Sequence, residues 1–355
     1  MKALLAEMDQ CWFPEYFYVL SPTMGAQLQR SPLVIADVGA AMGVDVRWRG
    51  LGDGVRFLTF EPDGRSQTPN NFAIGLGQRS EKRTLYLTQL PAASSLLEHH
   101  RPVLRDFATY SWHEPAGTVD IELVALDDLL VAQPENYPDF LKTDVEGFDL
   151  EVLRGAERIL SQHTLGVQVE VSFIERHVGA PFFGEVDQFL RDRQMVLFSL
   201  QREHWLRHNL TAGVNSQPQL IWGDAVYFLT RDAFGQRVAR LEPSLRLPLM
   251  VKMLALLLVY GAHDYAIELT DFCLAEHWLT VDQSAELQDA IRRSVRSPLG
   301  SLLRSLPLLL LSLMASVLTL GRGQSYVQRY LRRCVQPLLY WARRGGVQRS
   351  VFSDF

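Results

Sequence analysis

From residue 33 onward, short apolar runs alternate with amphipathic stretches. Runs such as Leu33-Val34-Ile35-Ala36 and Val55-Arg56-Phe57-Leu58-Thr59-Phe60 are too short for helices and rich in β-branched and aromatic residues, so they read as strands. The pattern predicts strands near 33–37, 55–60, 71–75, 83–88, 119–124, 139–143, 165–171, 195–200 and 223–230, with helices near 44–50, 126–132, 148–161 and 184–193. Alternation of this kind predicts an α/β domain built on a mostly parallel sheet. A break is expected near 232–245, where Arg231-Asp232 closes the last strand and Pro243 and Pro248 follow. Beyond it the pattern is helical throughout. Residues 249–260 and 263–279 predict an antiparallel pair joined at Gly261, and 281–296 a further helix. The expected division is an aromatic-rich N-terminal segment over 1–32, an α/β domain over 33–232 and a helical C-terminal region over 245–355.

Composition narrows the class. The 355 residues are 47% hydrophobic and 21% charged, enough apolar matter for a large core. Cys11, Cys273 and Cys334 are too scattered for a disulfide framework or a Cys-x-x-Cys knuckle, which suits a reducing cytoplasm. The start, Met1-Lys2-Ala3-Leu4-Leu5-Ala6-Glu7, meets an acid too early for a secretory signal.

Charge is unevenly spread. Residues 321–355 hold seven arginines against Asp354, a net of +6, which leaves −11 of the overall −5 on the preceding chain. Ahead of this tail, residues 305–321 form an uncharged run between Arg304 and Arg322. A membrane span needs about 20 apolar residues. This run is shorter, and Pro307, Ser305, Ser312, Ser316 and Thr319 weaken it. A core or homo-oligomer helix is the first expectation, and a peripheral helix on the inner face of a membrane, carrying its basic tail, is the second. Arginines and aromatics interleave over 326–344, but an amphipathic helix has that pattern too, so nucleic acid is not expected.

The chemistry begins where the first strand ends, at Asp37-Val38-Gly39-Ala40-Ala41-Met42-Gly43. A strand that stops at an acid and a glycine loop, followed by a second strand ending in Glu61, is how α/β proteins hold a nucleoside: the acid takes the ribose hydroxyls. On this loop alone a nicotinamide dinucleotide, S-adenosylmethionine and a bare turn all remain open. The middle glycine of a dinucleotide fingerprint is missing, and Asp37 sits badly beside a pyrophosphate.

A second constellation, Leu141-Lys142-Thr143-Asp144-Val145-Glu146-Gly147, ends a strand in Asp144 and opens a helix with acids at its positive end. Together with Asp37-Val38-Gly39-Ala40, Gly43, Phe60-Glu61-Pro62, Ser94-Ser95, Leu126-Asp127, Gly155-Ala156 and Glu170, it resembles the FkbM family of S-adenosylmethionine-dependent methyltransferases over about 33–230. The resemblance implies a class I, Rossmann-like methyltransferase fold: a seven-stranded, mostly parallel sheet whose last strand runs antiparallel, here with an all-helical C-terminal appendage. It implies that Asp37, Gly39, Ala40 and Gly43 shape the methionine end of the cofactor site, Glu61 holds the ribose, Asn71 and Ala73 lie near the adenine, and Asp144 faces the sulfonium. Asp144 or Glu170 is then the candidate catalytic base. A divalent cation shared by the two is the alternative, but two carboxylates fall short of a metal site. Helix capping and salt bridges to Lys142 or Arg154 are the structural alternative for these acids.

The chain departs from the family at Ala41, where an asparagine is usual, and in a crossover between Pro62 and Asn70 too short for a full helix. The expected function is O-methylation of a hydroxyl on a sugar, polysaccharide or secondary metabolite. The alternative is a catalytically degenerate methyltransferase fold acting as a binding or membrane-associated scaffold. Of the histidines, His204 and His208 have a helical metal-binding spacing without a third ligand, and His99-His100 fall on a loop near the expected pocket mouth, solvated by default.

Overall fold

The computed structural model describes residues 18–41, 43–64, 71–207, 217–295 and 310. The N-terminal segment up to residue 17, the apolar run 305–321 apart from Leu310, and the basic tail lie outside the described residues.

Helix α1 (Pro22–Arg30) leads into strands β1 (Leu33–Val38), β2 (Val55–Phe60), β3 (Asn71–Phe72), β4 (Gly75–Leu76) and β5 (Glu81–Thr88). A short helix α2 (Arg101–Leu104) precedes β6 (Pro115–Val124) and α3 (Leu126–Leu129). Then come β7 (Phe140–Thr143), α4 (Asp149–Gly155), α5 (Glu157–Gln162), β8 (Gly166–Ser172), α6 (Phe183–Arg191), β9 (Met195–Trp205) and β10 (Gln219–Leu229). Helices α7 (Arg231–Arg240), α8 (Pro243–Val259), α9 (His263–Ala275) and α10 (Val281–Ser294) follow the last strand.

Seven strands form the main sheet in the order β3-β2-β1-β7-β8-β10-β9. All neighbours are parallel except those of β10, which runs antiparallel to both β8 and β9. This is the mostly parallel sheet with an antiparallel last strand that the sequence led us to expect. Its central strands β1 and β8 are buried at every position, as parallel strands covered on both faces must be. A smaller sheet, β4-β6-β5, is inserted between β3 and β7.

The C-terminal helices fasten to the amino ends of the central strands. Lys252 on α8 donates to Asp139 Oδ2 at 2.8 Å, and the same oxygen accepts from the Val34 amide at 2.8 Å. Just past α8, the Tyr260 ring packs against Trp48, Phe140 and Phe228 at 5.8, 5.1 and 5.8 Å. The opposite, carboxyl end of the sheet is thereby left to the loops.

Several elements differ from expectation. The stretch expected as helix 44–50 is a 3-10 segment, Val46–Gly54, because Gly50, Gly52 and Gly54 remove helix propensity and Gly52 takes φ +52. The run 148–161 parts into α4 and α5 at Ala156, where φ −112 and ψ 19 leave the helical region. The strand expected over 71–75 is two short strands in different sheets. The stretch expected as a break near 232–245 is largely helical: α7 occupies 231–240, and Pro243 takes the first turn of α8, where a missing N–H costs nothing. Among the described residues no helix is long and apolar enough to cross a membrane.

Candidate active site

The chain leaves β1 toward β2 and β3 on one side, then returns through β7 to build the other half of the sheet. The carboxyl ends of β1 and β7 therefore flank the switch in winding direction, where open α/β sheets bind ligands. Here the turn after β1 and the turn after β7 touch. Gly39 has φ +82, and a Cβ on it would fall 2.0 Å from the Asp144 carbonyl oxygen. The Asp144 amide donates to Val38 O at 3.0 Å, and the Gly39 amide to Phe60 O at 2.9 Å, so β1, β2 and β7 are tied together at this end.

A cleft of about 780 Å³, open to solvent, lies over these turns. Gly39, Ala41 and Gly43 form one side, Phe60 and Glu61 the next, and Lys142, Asp144 and Val145 the floor beside them. Ile74, Gly75 and Leu85 of the small sheet region and the loop from Pro91 to Leu96 close the rest.

The charges are arranged in depth. Asp37 is buried behind the cleft and accepts from Lys142 Nζ at 2.9 Å, its partner across the β1–β7 register. Burial raises the Asp37 carboxyl, and Lys142 offsets part of that rise. Burial by itself would lower the Lys142 ammonium, but Asp144 and Asp37 outweigh it and hold it above its usual value. Lys142 Nζ stands 3.9 Å from Asp144 Oδ2, and the Asp144 side chain is 43% exposed. Glu61 is buried at the end of β2, with Oε1 accepting from the Asp63 amide at 2.7 Å.

The turn after Asp144 is held from beneath. Asp149 opens α4 and accepts from Thr143 Oγ1 at 2.8 Å, from the Val145 amide at 3.3 Å and from the Gly147 amide at 3.2 Å. Burial, with Asp144 nearby, pushes the Asp149 carboxyl up to about 7. Glu146 adopts φ +52, unusual for a residue with a side chain. Its carbonyl accepts from Ser95 Oγ at 2.7 Å and its carboxylate from Arg176 Nη1 at 2.8 Å. Arg176, fully enclosed, also pairs with Glu170.

Of the residues singled out in the sequence, the structure brings Gly39, Gly43, Glu61 and Asp144 to the cleft wall. Asp37, within β1, and Ala40, in the loop after it, do not line it. Asn71 donates to the Glu61 carbonyl at 2.7 Å, and neither it nor Ala73 lines the cleft, which meets Ile74 and Gly75 instead. Glu170 does not line it either: its carboxylate is engaged by Arg176, and burial pushes it well above the usual carboxylate range. Asp127 caps α5 by accepting from the amides of Arg158 and Ile159 at 2.7 and 3.0 Å. Lys142 bridges to Asp37 rather than closing on Asp144, and Arg154 pairs with Glu151.

The histidines also fall differently. His204 lies exposed on β9 rather than on a helix, and His208 is outside the described residues. His99 is not a solvated loop residue. It is buried, donates from Nε2 to Ala93 O at 2.9 Å, and packs against His177 and His113. No spacing in the sequence marks Arg176, His113 or His177: Arg176 and His177 reach Glu146 from the loop after β8, and His113 meets His99 from the segment before β6. Among the described residues no group of three or more His, Cys, Asp or Glu side chains is arranged to hold a metal ion.

Residues 37–197 match the family model described as the methyltransferase FkbM domain. A crystal structure of methyltransferase FkbM from Methylobacillus flagellatus KT aligns at 17% identity, over 56% of this chain and 44% of that one, with a TM-score of 0.30. The chain thus covers less than half the length of that protein. No curated protein matches the chain. Every residue of the cleft named above falls inside the stretch that matches the FkbM methyltransferase domain model.

Proposed function

We propose that the cleft binds S-adenosylmethionine and that the protein transfers its methyl group to a hydroxyl oxygen. The observation that carries this reading is the charge around the cleft. Glu61 and Asp144 both line it, while Lys142, its one cationic lining residue among those described, is already engaged by Asp37. Among the described lining residues two carboxylates face one ammonium that Asp37 already engages, an arrangement that suits a cationic ligand better than a pyrophosphate. Fit is supported also by the backbone: with no side chain at Gly39 or Gly43, the chain approaches closely at the switch point.

In this reading Glu61 accepts from the ribose hydroxyls and the 39–43 loop holds the amino-acid end. The bound donor supplies an activated methyl on a sulfonium. The protein's part is alignment and proton removal. Asp144, solvent-facing and anchored through its backbone to Val38, is the group that takes the acceptor's proton as the new C–O bond forms and the C–S bond breaks, its electron pair staying on sulfur. Glu170 is better suited to hold Arg176, and through it Glu146, under that turn. The test is turnover: purified protein with labelled donor and a panel of hydroxylated acceptors transfers label, and Asp144→Asn stops it.

A further inference from the structure

A second cavity, of about 640 Å³, opens on the other side of the 91–99 loop. Pro91 to Leu96 wall the donor cleft, while Glu98 and His99 line this one together with Tyr86, Arg101, His113 and Thr118. That figure includes open space at the mouth; the interior offers about 260 Å³, just under the roughly 300–1,000 Å³ of pockets for drug-sized ligands, so it suits a smaller one.

His113 is the feature that packing does not explain. Only 4% exposed, it lines the cavity with neither ring nitrogen partnered among the described residues. A buried polar group normally has a partner, and leaving one without is costly. Burial, with His99 and Arg176 nearby, drives the His113 imidazole down to about 3, so at neutral pH it is uncharged. His99 is likewise lowered by burial. A neutral imidazole offers one N–H donor and one lone pair. In His99, Nε2 donates to Ala93 O, so Nδ1 is the acceptor. The group complementary to such a pair is a hydroxyl, which both donates and accepts. An anion would use only the N–H of each neutral ring and leave its lone pair unmatched, whereas a hydroxyl meets both. Glu98 and Arg101, exposed at the rim, add an acceptor and a donor set, and Tyr86 adds an aromatic face.

We propose that this cavity is a second ligand pocket, read by His113 and His99, for a neutral polyhydroxylated molecule the size of a sugar ring. The pocket stands independently of the transferase reading.

The test is NMR of the imidazole nitrogens in 15N-labelled full-length protein, titrated with glucose, galactose and mannose and, as the anionic control, glucuronate. At least one neutral hexose is expected to shift His113 and His99 along a saturable curve, with glucuronate giving no such shift. The same hexose should bind at least tenfold more weakly to His113→Phe. Should that variant not fold, Arg101→Ala at the exposed rim should weaken binding several-fold. The proposal is overturned if no hexose moves His113, if glucuronate moves it equally, or if a folded variant binds as wild type does. Glu61→Ala separates the two readings, because hexose binding should survive it while donor binding does not. Donor binding without hexose binding overturns the pocket alone, and the reverse overturns the transferase reading alone.

Discussion

The carbonyl oxygen of Asp144 occupies the space a side chain on Gly39 would need, 2.0 Å from where its Cβ would sit. The backbone cannot give way cheaply, because the Asp144 amide is itself bonded to Val38. Gly39→Ala should therefore lose donor binding and on the order of 2–4 kcal/mol of stability, from the left-handed φ and the overlap together. Gly43, with φ +77 but open space around its Cβ position, provides the contrast. Gly43→Ala should cost about 1–2 kcal/mol and leave the fold intact. Denaturant melts of the two variants check the difference.

Asp144 and Glu170 make opposite predictions despite both being carboxylates near the turn. Asp144→Asn should lower turnover by about 10²–10⁴ while donor affinity changes little, since the amide keeps the shape and loses the proton acceptor. Glu170→Gln should act mainly on stability, because that carboxylate faces Arg176 and not the cleft. Single-turnover rates alongside donor titration separate the two effects.

Arg176 compensates two acids at once, the part-buried Glu146 and the buried Glu170. Arg176→Met should destabilise the fold by about 3–5 kcal/mol, the range for breaking a buried ion pair from one side. Arg176→Lys should restore little of it, since one ammonium cannot replace a fork that reaches both carboxylates. Equilibrium denaturation of the three proteins is the measurement.

The buried histidines give stability a definite pH dependence. His113 is held at about 3 in the fold against an ordinary 6.5, so between those values the unfolded chain carries a proton the native one lacks. Its contribution is present above pH 6.5 and is lost as pH falls toward 3, by about 1.4 kcal/mol per unit. Asp224 and Asp149, raised to about 6 and about 7, act in the opposite sense, so the informative quantity is a difference. From pH 6 to pH 5, His113→Gln should lose about one proton less stability per unit than wild type. Equal slopes would remove His113 from the account.

Much of this was legible in the sequence because it rests on short local patterns. The apolar runs ending in Asp37, Glu61 and Asp144 are strands whose ends carry the site, and period and glycine placement expose them. What the sequence hid is what folding assembles from afar. Glu170 closes a strand as the other acids do, yet its side chain turns to Arg176, a residue with no local signal. Asn71 is a pocket residue only by the family resemblance, and it spends its amide on the Glu61 carbonyl. His99 reads as a loop residue, and only the approach of His113 and His177 from separate segments buries it. The 44–50 stretch misleads for a different reason: its apolar spacing is helical, and three following glycines override it.

The central claim is that the cleft between the β1 and β7 turns is a donor site in which Glu61 holds the ribose. Isothermal titration of the full-length protein with S-adenosylmethionine and S-adenosylhomocysteine tests it most directly. The account predicts saturable binding of both and a loss of at least tenfold in Glu61→Ala protein that still melts cooperatively. No heat of binding at millimolar ligand, or unchanged affinity in Glu61→Ala, would contradict it.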